Sequence, residues 1–244
     1  YELTFTGDCY PHHPEALLPV EVQTDDGFVP DKRIPLPLMI GCDRPVRRRI
    51  GFIGDSITQG IGTETGSYAH WAARIAARFP ADCSAWDMGS GYARAADAAQ
   101  DGAWRTRAKT CDLVHVCFGV NDLYHDRRTA DEVLADLQTI VRALKHAGCT
   151  VILLTVPPFD WDGSKKIYWY RINEALRAGA IADIDGLFDF AAVVGQPAPN
   201  AHLAKYGGHP DAAGCQAVAD AYWAAIDRGD PNLAAARAVI FGTE

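Results

Sequence analysis

From residue 50 onward the chain alternates short, nearly continuous apolar runs with longer amphipathic ones, and this alternation narrows the fold more than any other feature. Strands are expected at Ile50 to Gly54, Cys83 to Asp87, Leu113 to Phe118, Val151 to Thr155 and Gly186 to Phe190. Helices are expected between them at Ser67 to Phe79, Ala93 to Trp104, Ala130 to Ala147 and Ile167 to Ile181, with another at Ala212 to Ala225. Thr129-Ala130-Asp131-Glu132 reads as a capping box, and Gly148 stands where a helix C-terminal glycine belongs. Strands without apolar–polar alternation are buried on both faces, so the pattern predicts a parallel sheet covered by helices on each side.

Residues 1–48 follow another rule. Seven prolines and little helical periodicity point to an all-β segment, with strand-like pieces at Tyr1 to Phe5, Val20 to Gln23 and Ile34 to Met39. Forty-eight residues are few for an independent core. The expected organisation is therefore a β-rich segment over 1–48, read as the end of an accessory β-domain, followed by an α/β domain over 49–244.

The formal net charge of −8 argues against nucleic acid or an anionic membrane as a partner. Arg47-Arg48-Arg49 is the only dense basic run and reads as the solvated entry to the first strand. No stretch reaches the roughly 20 apolar residues that span a bilayer. The seven cysteines show no CxxC spacing, and four of them fall in or beside expected strands. Buried reduced thiols fit this better than a disulfide framework, so a reducing, cytoplasmic location is expected. The chain begins at Tyr1 rather than Met, and a removed signal peptide is the competing expectation.

Three blocks carry the chemistry. Gly54-Asp55-Ser56-Ile57-Thr58-Gln59-Gly60 leaves the first strand of the α/β region, at the sheet edge where open α/β folds bind ligands. Gly119-Val120-Asn121-Asp122 leaves the Leu113 strand at the same edge. Gly207-Gly208-His209-Pro210-Asp211 precedes the helix expected from Ala212. Each alone reads as an ordinary loop: a capping serine, an Asx-turn asparagine, a surface histidine. Acyl transfer, however, needs a nucleophile, a base and donors aimed at an oxyanion, and the three blocks supply those groups together.

With these motifs the chain resembles the SGNH (GDSL-type) hydrolase superfamily, serine esterases of flavodoxin-like fold. The resemblance implies a three-layer α/β/α domain with a five-stranded parallel sheet in the order 2-1-3-4-5. It also implies Ser56 as nucleophile, His209 as base, and an oxyanion hole built from the Ser56 N–H, a glycine N–H and the Asn121 amide. The glycine block of the family corresponds to Trp86-Asp87-Met88-Gly89-Ser90-Gly91, one residue shorter and with Asp87 in place of asparagine. Gly91 is the expected donor and Gly89 the alternative.

The family's triad acid stands three residues before the histidine, where this chain has Tyr206. Asp189, Asp160 and Asp162 are candidate replacements. The other option is a backbone carbonyl, which resembles the Ser-His dyad of carbohydrate esterase family two, where a β-domain precedes the hydrolase; the dyad is the favoured reading. Tyr124, Phe159 and Trp161 lie near the ligand edge, where aromatics stack on a sugar ring or line an acyl pocket. The expected substrate is a small or oligosaccharide ester carrying an acetyl or similarly small acyl group. No cofactor or metal enters this reading. The competing expectation is a non-catalytic carbohydrate-binding or interaction protein that keeps the fold, and a homo-oligomer is compatible with either.

Overall fold

A computed structural model describes residues 9–11, 20–31, 33–35, 45–195 and 204–242. The chain divides into two compact units, residues 1–45 with 65–67 and residues 46–64 with 68–244.

Among the described residues, the first unit carries four short strands, β1 (Cys9–Pro11), β2 (Val20–Thr24), β3 (Gly27–Asp31) and β4 (Arg33–Pro35). They form two antiparallel pairs, β1 with β4 and β2 with β3. The strand expected at Val20 is present, and the one expected from Ile34 is described only as far as Pro35. The strand expected over residues 1–5 lies outside the described residues.

The second unit is built on β5 (Arg48–Gly54), β6 (Cys83–Gly89), β7 (Leu113–Cys117), β8 (Thr150–Leu154) and β9 (Gly186–Phe188). All pairings are parallel and the order is β6-β5-β7-β8-β9, which is 2-1-3-4-5 among these five strands. Central strand β7 is buried throughout, as its near-continuous apolar pattern, interrupted only by His115, leads one to expect.

Helices flank the sheet: α1 (Ser56–Gln59), α2 (Trp71–Ala76), α3 (Ala95–Ala99), α4 (Ala103–Ala108), α5 (Val120–Tyr124), α6 (Ala130–His146), α7 (Gly163–Arg177), α8 (Phe190–Val194), α9 (Ala212–Asp227) and α10 (Ala234–Phe241). In α6 the expected capping box forms: the Thr129 hydroxyl accepts from the Glu132 N–H, and the Glu132 carboxylate accepts from the Thr129 N–H at 2.8 Å. Val133, Leu137, Ile140, Val141 and Leu144 make one buried stripe. Each such side chain contributes roughly 1.5–3 kcal/mol by leaving water.

Several boundaries differ from expectation for local reasons. The helix expected over Ala93 to Trp104 breaks into α3 and α4 because Gln100 turns to extended backbone and Gly102 starts a new cap. The last strand stops at Phe188, since the Asp189 carboxylate accepts from the Ala192 N–H and opens α8. Helices α1 and α5 were not expected. They are single turns laid directly on the strand ends that carry the motifs.

Five cysteines of this unit, Cys83, Cys111, Cys117, Cys149 and Cys215, are free and buried. Burial pushes the Cys111 and Cys215 thiols up, to about 12 and about 11, which makes them core side chains rather than nucleophiles. His115 is also core. It stacks on Phe52 at 4.6 Å and pairs with the Tyr222 hydroxyl at 2.9 Å, and burial lowers its pKa to about 4. Among the described residues, no helix is long and apolar enough to cross a membrane.

Candidate active site

Sheet register brings the motif blocks to one level. Gly54 of β5 pairs with Gly89 of β6 on one side and with Cys117 of β7 on the other. The residues just beyond these three positions are Ser56, Gly91 and Asn121. They emerge together at the carboxyl edge, beside the point where strand order reverses.

Ser56 opens α1. Asp55 caps that helix, its carboxylate accepting from the Ile57 N–H at 2.9 Å. Gly60, at φ 102°, ends it, and the following backbone turns back on Ser56 through the Gly60 and Ile61 N–H groups. The nucleophile candidate therefore sits on a single rigid turn, 8% exposed. Its Oγ lies 2.9 Å from His209 Nε2. With Nε2 as acceptor, the other ring nitrogen carries the proton and the serine hydroxyl donates.

His209 comes from the loop before α9. Asp211 caps α9 by accepting from the Gly214 N–H, and the Tyr206 carbonyl accepts from the Asp211 N–H. Tyr206, at the family's acid position, thus closes a turn with its backbone while its side chain covers Gly214. Gly62 permits the close approach of this loop to the α1 turn. A Cβ there would lie 2.7 Å from the Pro210 carbonyl and 2.9 Å from that of His209. Phe159 meets the His209 ring edge-on at 5.2 Å.

Asp189, the first candidate acid, is engaged elsewhere. Arg177 holds both its oxygens at 2.8 Å and the Thr155 hydroxyl donates to it at 2.9 Å. Burial pushes its carboxyl up, but the Arg177 and Thr155 hydrogen bonds, the Arg177 charge and the Ala192 N–H together outweigh it and hold the carboxyl below the usual range. These contacts describe a brace between α7 and the start of α8. Asp162 precedes α7 and lies within 3.8 Å of Lys165.

Gly89 and Gly91 are told apart by Asp87. The Gly89 N–H donates to the Asp87 carboxylate at 2.8 Å, and Gly89 is pressed against the backbone of Thr58 and Gln59. Among the described residues, no hydrogen bond engages the Gly91 N–H. Asp87, noticed in the sequence only as a departure from asparagine, also approaches His70 Nδ1 at 3.3 Å, and burial raises its pKa to about 6.

Asn121 is buried, and its side-chain amide donates one hydrogen to the Ala93 carbonyl at 3.0 Å. A second amide hydrogen remains. The neighbouring Asp122 carboxylate accepts from the Ala95 and Ala96 N–H groups and ties α5 to the start of α3. Asn121 and Asp122 together thus lock the 91–96 segment onto the end of β7.

The aromatic residues separate into two roles. Tyr124 packs edge-on against Phe159 at 5.2 Å, with Lys165 Nζ 4.8 Å above its ring. Both rings are half-buried. Trp161 is fully buried at 0% exposure and packs behind Phe159 at 5.9 Å. The expectation that Trp161 touches substrate is corrected: with no surface to present, it supports Phe159.

Among the described residues, no group of three or more His, Cys, Asp or Glu side chains is placed to hold a metal.

One consequence concerns Asp55. Burial raises its pKa to about 7, and its second oxygen has no hydrogen-bond partner among the described residues. Between about pH 4 and 7 the folded chain holds a proton there that the unfolded chain releases. This group therefore makes stability fall as pH rises through that window. Asp55→Asn keeps the capping acceptor and loses the titration. Urea unfolding is expected to show the variant gaining on the wild type by a few kcal/mol between pH 4.5 and 8, since each tenfold difference in proton affinity is worth roughly 1.4 kcal/mol; a constant difference across that range would contradict the assignment.

Comparison with known proteins agrees with the layout. Residues 52–217 match the GDSL-like lipase/acylhydrolase family. No curated protein sequence matches the chain. Similar solved structures include a member of the lipolytic protein G-D-S-L family from Veillonella parvula, 18% identical, with TM-score 0.56 over 74% of this chain and 98% of that one. A carbohydrate acetylesterase family member from Sinorhizobium meliloti is 17% identical, with TM-score 0.57 over 74% and 98%. An acetyl-xylooligosaccharide esterase from Geobacillus Stearmophilus is 20% identical, with TM-score 0.53 over 74% and 94%. At these identities the likeness is one of fold.

Proposed function

Because the chain belongs to the GDSL-like lipase/acylhydrolase family, we propose that it is a serine ester hydrolase removing small acyl groups, acetyl foremost, from a carbohydrate alcohol. The observation that carries this reading is the 2.9 Å approach of Ser56 Oγ to His209 Nε2.

The reaction runs as a double displacement. His209 Nε2 takes the Ser56 proton as Oγ attacks the ester carbonyl. The oxyanion lies between the Ser56 and Gly91 N–H groups and the second hydrogen of the Asn121 amide. His209 then gives its proton to the alkoxide oxygen, which leaves as the alcohol. Water enters, loses a proton to the same nitrogen and cleaves the acyl-enzyme to the free acid. Tyr206, at the family's acid position, supplies no carboxylate to this cycle. Phe159 against one edge of His209 and Gly62 beneath its backbone position the base, as a dyad requires.

The small-acyl preference is supported by the low exposure of Ser56 and by the sequence, which carries no long apolar lid. Two of the structural neighbours bear names of carbohydrate acetylesterases, which supports the same substrate class. The β-rich segment over 1–48 is read as the end of an accessory β-domain that precedes the hydrolase domain in sequence.

The test compares acetate release from p-nitrophenyl acetate and from an acetylated oligosaccharide. Release from both, lost in His209→Ala, supports the full reading. Release from the small ester alone keeps the esterase and removes the carbohydrate. Activity on neither leaves a binding protein of the same fold.

A further inference from the structure

The aromatic contacts around the site form a continuous series that starts at the base and ends on the residue after Gly91. His209 meets Phe159 at 5.2 Å, Phe159 meets Tyr124 at 5.2 Å, Tyr124 meets His125 at 4.9 Å, and His125 meets Tyr92 at 5.4 Å. Tyr92 directly follows Gly91, so the series leaves the base and returns to the oxyanion loop. Exposure rises along it, from half-buried Phe159 and Tyr124 to exposed His125 and to Tyr92 at 55%.

Two further observations mark the Tyr92 end as built rather than incidental. Tyr92 holds φ +62°, a conformation that a bulky residue adopts only when its surroundings enforce it. The enforcement is visible. Asn121 holds the Ala93 carbonyl, and Arg94 ion-pairs with both Asp97 and Asp126, so the segments bearing Tyr92 and His125 are clamped together. Glycine would sit at this φ without strain, yet the chain places a large exposed ring there.

Resting on the function proposed above, we infer that Tyr92 and His125 form the outer platform of the substrate site, on which a pyranose ring of the leaving alcohol stacks while its ester reaches Ser56. Amphipathic rings suit this ligand, because one face of a pyranose is lined by C–H groups and its edge by hydroxyls. The platform is rigid before substrate arrives, so little ordering entropy opposes binding. Tyr92 and His125 are therefore specificity-determining residues, and neither takes part in proton transfer.

The test measures kcat/KM on an acetylated xylo-oligosaccharide and on ethyl acetate, which has no ring, for the wild type, Tyr92→Gly, Tyr92→Phe and His125→Ala. Glycine accepts the positive φ, so Tyr92→Gly removes the ring without imposing strain; thermal unfolding checks its fold. The ratio of saccharide to ethyl acetate efficiency is expected to fall about tenfold in Tyr92→Gly, the weight of one ring contact, with the change carried by the saccharide KM. Tyr92→Phe should keep the wild-type ratio, and His125→Ala should lower it. An unchanged ratio in Tyr92→Gly overturns the platform, as does an equal loss on both esters, which would mean that Tyr92 merely shapes the Gly91 loop. A wild type that cleaves ethyl acetate but no saccharide ester overturns the substrate class instead, and the platform with it.

Discussion

Replacing Ser56 with alanine is expected to lower kcat for p-nitrophenyl acetate by at least about 10⁴-fold, since nucleophile and base act as one unit. The hydroxyl lies 2.9 Å from His209 Nε2. Alanine is a good helix former and leaves the Asp55 cap and the Gly60 turn in place, so folding should change little. His209→Ala should cost a similar factor, and the double variant should be scarcely worse than either single one. Additive losses would mean that the two residues act separately. Residual hydrolysis within about tenfold of wild type in Ser56→Ala would place the nucleophile elsewhere.

Asn121→Asp is expected to lower kcat by about 10²- to 10³-fold with little change in KM, as for the loss of one oxyanion donor. The donor acts on charge that develops only in the transition state, so ground-state binding feels its removal weakly. The substitution also sets a carboxylate against the Ala93 carbonyl that Asn121 now holds at 3.0 Å. Because that bond clamps the segment bearing Gly91, the melting temperature should fall as well. Asn121→Ser, which keeps a donor but shortens it, separates the two effects. A variant as destabilised as the aspartate yet nearly as active as wild type would show that Asn121 works only as a clamp.

How much of this was legible in the sequence follows from how local each cause is. The five core strands could be anticipated because near-continuous apolar runs such as Leu113 to Cys117, interrupted only by His115, tolerate burial on both faces, whereas their order was implied only by the resemblance to the SGNH superfamily. The Ser56, Asn121 and His209 blocks were legible because each pairs a functional residue with the glycine or proline that shapes its turn. Gly91 was expected over Gly89 from the resemblance alone; the bond from the Gly89 N–H to the Asp87 side chain, which supports that choice, has no signal in the sequence. Trp161 looked like a ligand-facing ring because it lies in the Pro157 to Asp162 loop; that it turns inward behind Phe159 is a packing fact without a periodic signal. Tyr92 was missed for the opposite reason. A tyrosine after a glycine is unremarkable as a string, and only its positive φ and its contact with His125 set it apart. Gly62 shows the same limit, because its reason is a carbonyl from a loop far along the chain, at His209 and Pro210.

The central claim is that Ser56 is a nucleophile activated by His209. The most direct test is labelling with a fluorophosphonate, followed by mass spectrometry of the peptides, for wild type and for His209→Ala. The expected result is a single adduct on Ser56 in the wild type and labelling slowed by orders of magnitude in the variant. An adduct on another residue, no adduct in the folded wild type, or equal labelling of Ser56 with and without His209 would contradict it.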